Sequence, residues 1–518
     1  MSLGRTESEP WSWSRLLVEP RRPQSIRNRP DAHWLAVAAV CVGALMGQLD
    51  ASIVTVALPT LQESFHASVG SVTWVGLSYL LVLVATVTAV GRFADMWGRK
   101  LLYVYGFVIF ILASALCGFA PDLAALCGFR ALQGVGAAML QANSLAIICL
   151  VVPARSLGRA IGLQGAAQAV GLALGPSVGG LLLAVGGWRL IFFVNVPLGL
   201  FGAAAALALV PRSENLAQKE AFDVAGLALF FPAVVALLSA ISFGATLRWS
   251  SPLILGLFVA AMGGTAFFVR HERLARHPML DPGLFRHRRF STGIVSAVGS
   301  YVVMFGVLLL VPFYLTRGLG FGTARAGLEL MALPVMFGVV APFAGRMADR
   351  LGARPLAVSG LATVATGLAA LGALRPGTAA FLLLLGSVGA GLGLFSAPNN
   401  ATVMGSVRAG QTGMASGVLN MSRGIGTALG LSLTGLLFSV SGGASGSPGR
   451  AEHAFTVTAL VLAAIAAGAA MVAAAGPAAG PAGGEAPEVP WVGPVTSIGT
   501  SLQIGIDLGS SLHAKGHL

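Results

Sequence analysis

The sequence predicts an all-α membrane protein with two six-helix bundles and two inserted helices. Three observations lead to this prediction: the apolar composition, the number of long apolar runs, and a ten-residue phrase that occurs twice. Of the 518 residues, 56% are hydrophobic and 10% are charged, and the mean hydropathy is +0.82. Because a soluble domain carries about 25% charged residues, this composition favours a chain embedded in lipid.

The apolar runs set the number of helices, because a membrane-spanning helix needs roughly 20 apolar residues. Fourteen runs have about this length. They occupy residues 34–58, 71–90, 101–119, 124–150, 160–185, 190–210, 223–243, 252–269, 292–315, 327–344, 355–373, 379–401, 413–438 and 454–475. The even number predicts that both ends of the chain lie on the same side of the membrane.

The basic residues predict the orientation. The net charge is +13, and most of the 32 lysines and arginines fall in the segments on the side of the N-terminus. Such a bias marks the cytoplasmic side of a bacterial inner membrane. Lipid headgroups therefore explain the positive charge better than nucleic acid does, and we expect both termini to be cytoplasmic.

The repeated phrase predicts the division of the chain. GRFADMWGRK (91–100) follows the second run, and GRMADRLGAR (345–354) follows the tenth run. Matching hairpins in two halves are typical of transporters built from repeats. We therefore expect an N-terminal segment (1–33), a first bundle (34–210), a linker with two extra helices and a basic loop (211–291), a second bundle (292–475) and a disordered cytoplasmic tail (476–518).

The two copies of the phrase are candidates for a conformational switch. Their acids can interact with a nearby base or with the positive N-terminus of a neighbouring helix. A plain solvated turn is the alternative, but the shared Gly and Asp positions argue against it. The predicted switch residues are Gly91, Asp95, Gly98, Arg99, Gly345, Asp349, Arg350 and Gly352.

Charged residues within the runs are candidates for proton coupling, because charge in a membrane is costly and usually functional. Asp50 is the first candidate for a proton carrier, with a structural polar pair as the alternative. Arg130 needs a carboxylate or backbone carbonyls as partners, and Asp50 and Asp95 are the candidate acids. A purely structural ion pair is an equally open interpretation of Arg130. Glu329 is a candidate for a second titrating acid or simply faces the outer water.

Two further groups concern the helix packing and the cavity. The fifth run contains GLALGPSVGG, whose small residues and proline predict a hinge face, although generic packing produces similar spacing. The hinge residues are Gly171, Gly175, Pro176, Gly179 and Gly180. The cavity candidates are Trp74, Tyr79, Gln133, Asn420 and Arg423, with Trp74 alternatively an interfacial aromatic residue.

Other classes of function find less support. The four cysteines lie in or beside apolar runs and are interpreted as small core residues, and the histidines lie at or beyond run ends, so no metal site is expected. A membrane enzyme would need a cluster such as Ser, His and Asp at one face, and none stands out. A membrane sensor or scaffold would not need Asp50, Arg130 and the hinge glycines together.

These phrases together resemble the major facilitator superfamily, and among its members the fourteen-span drug:proton antiporters. GRFADMWGRK and GRMADRLGAR resemble the loop motif, RALQGVG the span-4 motif, GLALGPSVGG the span-5 antiporter motif, and LDASIVTVALP the span-1 motif. The resemblance implies that Asp50 is the protonation site and that Arg130 takes part in proton transfer. Ser52, Thr55 and Met96 depart from the usual residues of these motifs.

The resemblance implies a function as well. It implies export of small hydrophobic drugs or antibiotics by proton antiport and alternating access, with the proton motive force and no cofactor. The expected partners are the substrate, protons and membrane lipid, and the protein is expected to be a monomer. A specific endogenous metabolite, siderophore or lipid is the alternative substrate on the same fold, and proton-coupled uptake is less favoured by the span-5 motif.

Overall fold

The structure is a computed structural model that describes residues 19–67, 69–213, 222–247, 249–275, 278–374, 377–408, 411–442 and 448–477. Within these ranges, 14 helices are long and apolar enough to cross a membrane, which confirms the predicted class and number. The chain is therefore a multi-pass membrane protein. Most of the predicted N-terminal segment and nearly all of the predicted tail lie outside the described residues.

The membrane helices follow one another along the chain. They are α1 (Ala32–Ser64), α2 (Val69–Trp97), α3 (Arg99–Gly118), α4 (Leu123–Val151), α5 (Leu157–Gly186), α6 (Asn195–Leu209), α7 (Val224–Leu247), α8 (Pro252–Leu274), α9 (Arg288–Phe313), α10 (Ala332–Leu351), α11 (Ala353–Leu374), α12 (Thr378–Gly405), α13 (Thr412–Val440) and α14 (Pro448–Ala475).

The packing of the helices repeats with an offset of eight helices. In the first half α1 packs on α5, α2 on α4, and α3 on α4 and α6. In the second half α9 packs on α13, α10 on α12, and α11 on α12 and α14. The two halves meet along the pairs α2–α13 and α5–α10. This repetition is what a duplicated six-helix unit produces, and the bounds 34–210 and 292–475 stay a prediction.

The inserted helices α7 and α8 pack on each other, and α7 lies over the seam between α2 and α13. The rings of Trp74 on α2 and Phe243 on α7 lie 5.1 Å apart. On the other side of the seam, the Ser432 hydroxyl of α13 donates to the carbonyl of Ile241 at 2.7 Å. The inserted pair therefore covers one of the two lines along which the halves meet.

The apolar runs suggested that the repeated phrase forms a gap between helices. In the structure both copies lie mostly within helices instead. Helix α2 continues to Trp97 and α3 begins at Arg99, so only Gly98 separates them, and Gly352 alone separates α10 from α11. Gly98 has φ +114° and Gly352 has φ +86°. Residues with a Cβ rarely adopt these angles, so a glycine allows each sharp reversal. The acids of both phrases consequently lie within helices.

Two predicted runs contain breaks. The run 190–210 consists of a short helix, Leu190–Phe193, and α6, with Val194 between them. The run 327–344 divides at Met331 between a short helix, Thr323–Leu330, and α10. Hydropathy cannot reveal these breaks, because the residues at both of them are apolar.

Candidate functional site

Asp50 lies in the middle of α1 and is 1% exposed. One carboxylate oxygen, Oδ2, accepts a hydrogen bond from Nη1 of Arg130 on α4 at 2.7 Å. The other oxygen, Oδ1, accepts from Gln133 Nε2 at 3.0 Å and from Asn195 Nδ2 at 2.8 Å. A buried carboxylate is thus surrounded by three donors, which offset the loss of water around its charge.

Arg130 is 1% exposed and has partners besides Asp50. Nε donates to the carbonyl of Val75 at 3.0 Å, and Nη1 donates to Gln133 Oε1 at 2.6 Å. The guanidinium carbon lies 4.3 Å from the centroid of the Tyr79 ring, a cation–π contact. Of the two acids proposed from sequence, Arg130 therefore pairs with Asp50.

Asn195 is a member of this network that the sequence reasoning missed. It is fully buried at the start of α6, directly after the break at Val194. Its Oδ1 has no hydrogen-bond partner among the described residues. Ser114 was missed as well, and its hydroxyl accepts from Gln133 Nε2 at 2.7 Å. In each case the sequence offered one signal, a single polar residue within an apolar run.

The predicted hinge face packs α5 against α1. Cβ atoms added at Gly171 or Gly175 would collide with α1, at the backbone near Leu45 and at Ser52 respectively, and one at Gly179 would touch Ile53. Small residues here allow the close approach of the two helices. Gly180 instead faces open space, and Pro176 is exposed.

Ser52, one of the departures from the span-1 motif, has a partner in this packing. Pro176 lacks the N–H that would bond to the carbonyl of Leu172 four residues earlier. The Ser52 hydroxyl donates to that carbonyl at 2.9 Å. The hydroxyl of α1 thus satisfies the acceptor that the proline leaves free in α5.

The first copy of the phrase joins the two halves at one end of the molecule. Asp95, 2% exposed, accepts from the backbone N–H groups of Gly413 at 3.0 Å and Met414 at 3.2 Å. These are N–H groups of the first turn of α13, which have no partner within their own helix. Arg99 Nη2 also pairs with Asp95 at 2.7 Å. We call these contacts the first latch.

The second copy makes the equivalent contact in the opposite direction. Asp349 on α10 accepts from the backbone N–H groups of Gly158 at 2.9 Å and Arg159 at 3.2 Å, in the first turn of α5. We call these contacts the second latch. Arg350 is exposed and is not among the partners of Asp349 that the structure describes.

Glycines bring the helices of both latches together. A Cβ added at Gly91 would collide with the carbonyl of Gly413, and one added at Gly413 would collide with the carbonyl of Gly91. Gly345 and Gly158 show the same reciprocal relation. Each latch is therefore a close backbone contact with an acid beside it, and this explains why both copies begin with glycine.

The cavity candidates fall in three places. Arg423 on α13 donates from Nη1 to Gln168 Oε1 on α5 at 3.3 Å, and its guanidinium lies 5.4 Å from the Tyr301 ring. Asn420 donates to the carbonyl of Gln141 on α4 at 3.0 Å, so both residues bridge the halves. Tyr79 and Gln133 belong to the Asp50 network, whereas Trp74 lies under α7.

Glu329 lies apart from this network in the short helix before α10. It is 8% exposed and pairs with Nε of Arg325 at 3.1 Å. Its Oε2 has no hydrogen-bond partner among the described residues. The structure places Glu329 beside an exposed base, with no hydrogen bond linking it to the partners described for Asp50.

The comparisons with known proteins agree with this architecture. The sequence matches the family profile of the Major Facilitator Superfamily over residues 40–430 and 293–504. It is 35% identical over 403 residues to the multidrug resistance protein Stp of Mycobacterium tuberculosis, covering 77% of this chain and 75% of that protein. The tetracenomycin C resistance and export protein of Streptomyces glaucescens is 31% identical, with coverage of 80% and 76%.

Other similar proteins include a vitamin transporter and two solved structures. The riboflavin transporter RibZ of Clostridioides difficile is 31% identical, over 79% of this chain and 89% of that protein. Among solved structures, the human organic anion transporter MFSD10 superposes with a TM-score of 0.63 at 14% identity, over 86% of this chain and 100% of that chain. The proton:xylose symporter XylE gives 0.58 at 16% identity, over 84% and 95%. At these low identities the two structures show the fold alone.

The chain belongs to the major facilitator superfamily, whose members are transporters.

Proposed function

We propose that this member of the superfamily exports a small hydrophobic compound across the bacterial inner membrane in exchange for protons. The observation that carries the proposal is the buried pair of Asp50 and Arg130, 2.7 Å apart and held by two amide side chains. A packed core of this kind needs no charge for stability, because buried ion pairs are seldom more stabilising than apolar residues. A charged pair in a membrane span is better explained by ion or proton movement.

The network can accommodate both protonation states of Asp50. In the charged state, the Asn195 amide donates to Oδ1 of the carboxylate. In the neutral state, rotation of that amide presents its unpartnered oxygen to the carboxylic O–H. Arg130 then keeps the Val75 carbonyl and Gln133 Oε1 as acceptors. A proton can therefore be gained and lost while Asp50 and Arg130 both keep hydrogen-bond partners.

The latches supply the conformational step. The positive-inside bias puts both latches at the cytoplasmic side, with both termini there. With the two acids seated on the first turns of α13 and α5, the cytoplasmic side is closed. Release of these contacts opens the central region, where Arg423 and Asn420 bridge the halves, toward the cytoplasm. Substrate binds there as Asp50 loses its proton, and reloading from outside releases the substrate.

The proton motive force provides the driving free energy. Each charge that crosses the membrane contributes about 2.3 kcal/mol per 100 mV, in addition to the pH gradient. The transport cycle involves the substrate, protons and surrounding lipid, and we propose that the protein works as a monomer without a cofactor.

The relatives favour two classes of substrate. The names of Stp and of the tetracenomycin C export protein support drugs or antibiotics. The name of RibZ supports the second candidate, a specific metabolite such as a flavin. Either substrate would use the same proton coupling.

Proton release from inverted membrane vesicles tests the proposal. Energised vesicles containing the wild type, Asp50→Asn or the control Asp31→Asn would receive lipophilic cations, antibiotics and flavins in turn. Asp31 is exposed and its side chain makes no cap hydrogen bond. Asp31→Asn therefore shows the effect of removing one acidic side chain outside the proposed site. We expect compound-dependent proton release in the wild type and in the control, and none in Asp50→Asn.

Two results would contradict the proposal. Release that persists in Asp50→Asn would move the proton to another group, and Glu329→Gln is the next variant. Absence of proton release with every compound, although radiolabelled compound still leaves the cytoplasmic side, would exclude proton antiport. Monodisperse behaviour of each variant in detergent shows that loss of transport is not loss of folding.

A further inference from the structure

A groove on the outer surface of the inserted helix pair has two different ends. It runs along α8 beside α7, has a volume of about 790 Å³ that is open to the outside, and is lined along most of its length by apolar and small side chains such as Leu237, Ala261 and Ala266. One end is lined by Arg270 and Arg273. The groove is thus apolar within the membrane and strongly positive where α8 ends.

The two arginines are available for a ligand. Both are exposed, they are three residues apart in the last turns of α8, and neither has an ion pair among the described residues. Residues three apart lie on the same face of a helix, so both guanidinium groups border one site.

The two acids that the structure describes near this end are directed elsewhere. Asp223 accepts from the N–H of Gly226 at 2.7 Å and lies 2.9 Å from His271 Nε2, across the α7–α8 contact. Glu272 is 2% exposed and accepts from the N–H of Leu280 at 3.4 Å. The negative charges therefore face the protein interior while the positive charges face the groove.

This arrangement selects one kind of occupant. An acyl chain of the surrounding bilayer can pack by van der Waals contact along the apolar part of the groove, and an arginine pair suits a phosphate because guanidinium groups can bind its oxygens in a bidentate manner. A free phosphate would leave the apolar part empty, and a lipophilic cation would be repelled by the two bases. A phosphate on a hydrocarbon chain uses both ends.

We propose that the groove between α7 and α8 binds an anionic phospholipid. One acyl chain lies along Ala261, Thr265 and Ala266, and the phosphate lies between Arg270 and Arg273. Phe222, just before α7, packs edge-on against Phe93 of the repeated phrase at 5.4 Å. The end of the inserted pair that would bind the lipid is therefore connected to the helix that carries the first latch. Binding does not depend on what the protein transports.

Lipid competition on the full-length protein tests this site. The protein would be placed in nanodiscs or detergent with equal amounts of phosphatidylglycerol and phosphatidylethanolamine, and bound lipids counted by native mass spectrometry. Arg270→Gln combined with Arg273→Gln removes the two bases. Arg27→Gln combined with Arg29→Gln is the matched control, because it removes two exposed bases from the same end of the molecule. Ala266→Phe fills the groove without changing charge.

We expect one tightly retained phosphatidylglycerol in the wild type and in the control. At about 1 kcal/mol for each base, the double variant should lose roughly twenty- to thirtyfold of the preference for the anionic lipid. Ala266→Phe should weaken binding of both lipids while keeping the preference. Equal losses in the two double variants would overturn the site, as would full displacement of the lipid by glycerol phosphate, which would show that the acyl chain contributes nothing.

Discussion

The two copies of the ten-residue phrase form the same contact in different surroundings. In both, an acid near the end of one helix accepts from two N–H groups in the first turn of a helix in the other half. Asp95 is buried and also pairs with Arg99, whereas Asp349 is half-buried, and Ala353 stands where Arg99 stands in the first copy. In the proposed cycle the shared part closes one end of the transporter, and the deeper burial of Asp95 leaves its charge-assisted hydrogen bonds less screened by water than those of Asp349.

A second difference lies deeper in the membrane. The network of Asp50 and Arg130 belongs to α1 and α4, and the corresponding helices α9 and α12 contain no acidic residue. The halves thus share the latches, whereas the proposed proton-coupling network belongs to the first half alone. The repeated geometry of the latches is therefore compatible with different side-chain chemistry deeper in the two bundles.

The largest expected effect comes from removing the acid of each latch, which should show the difference between the two latches. Asp95→Asn removes a buried carboxylate that accepts from two N–H groups of α13, and we expect it to destabilise the closed state by roughly 1.5–3 kcal/mol. Asp349→Asn loses only the interaction with a helix N-terminus and should cost about 0.3–2 kcal/mol. Distances between spin labels at Trp97→Cys and Arg408→Cys, in a variant without the native cysteines, measure the opening.

The expected result is a predominantly open end in Asp95→Asn and a smaller open population in Asp349→Asn. Equal opening in the two variants would show that the deeper burial of Asp95 adds nothing to the first latch. Each variant should carry the same pair of labels, so that the label positions cannot account for the difference.

The glycine contacts should be equal in the two copies. An alanine at Gly91 or Gly345 places a methyl group against the facing carbonyl of Gly413 or Gly158. Overpacking of this kind costs roughly 1–3 kcal/mol, and it acts only in the closed state. We expect Gly91→Ala and Gly345→Ala to open the labelled end to a similar extent. A large difference between them would mean that the backbone contacts of the latches are not equivalent.

The smallest expected effect comes from giving the second copy the base it lacks. Ala353→Arg places an arginine four residues after Asp349, as Arg99 follows Asp95. Because Asp349 is half-exposed, the new pair should stabilise the closed state by only about 0.2–1 kcal/mol. Combined with Asp349→Asn, the same change should have no such effect. A gain that persists without the acid would trace the stabilisation to the helix end instead.

The sequence predicted much of this architecture, because hydropathy counts helices and repeats reveal symmetry. It also indicated that Asp95 would meet a helix N-terminus or Arg99, and the structure contains both contacts. It could not identify the helix, since Gly413 and Asp95 are 318 positions apart in the chain. Asn195 escaped notice because a single amide in an apolar run has no periodic pattern, and its role depends on α6 beginning beside α1.

The most direct test of the account is the number of protons released when substrate binds to the purified protein. A compound identified in the vesicle experiment would be added to wild type and to Asp50→Asn in weak buffer, with binding measured in parallel. Because proton and substrate binding are linked, the account predicts release of about one proton per bound compound in the wild type and none in the variant, which still binds. Equal release from both proteins would contradict the assignment of the coupled proton to Asp50.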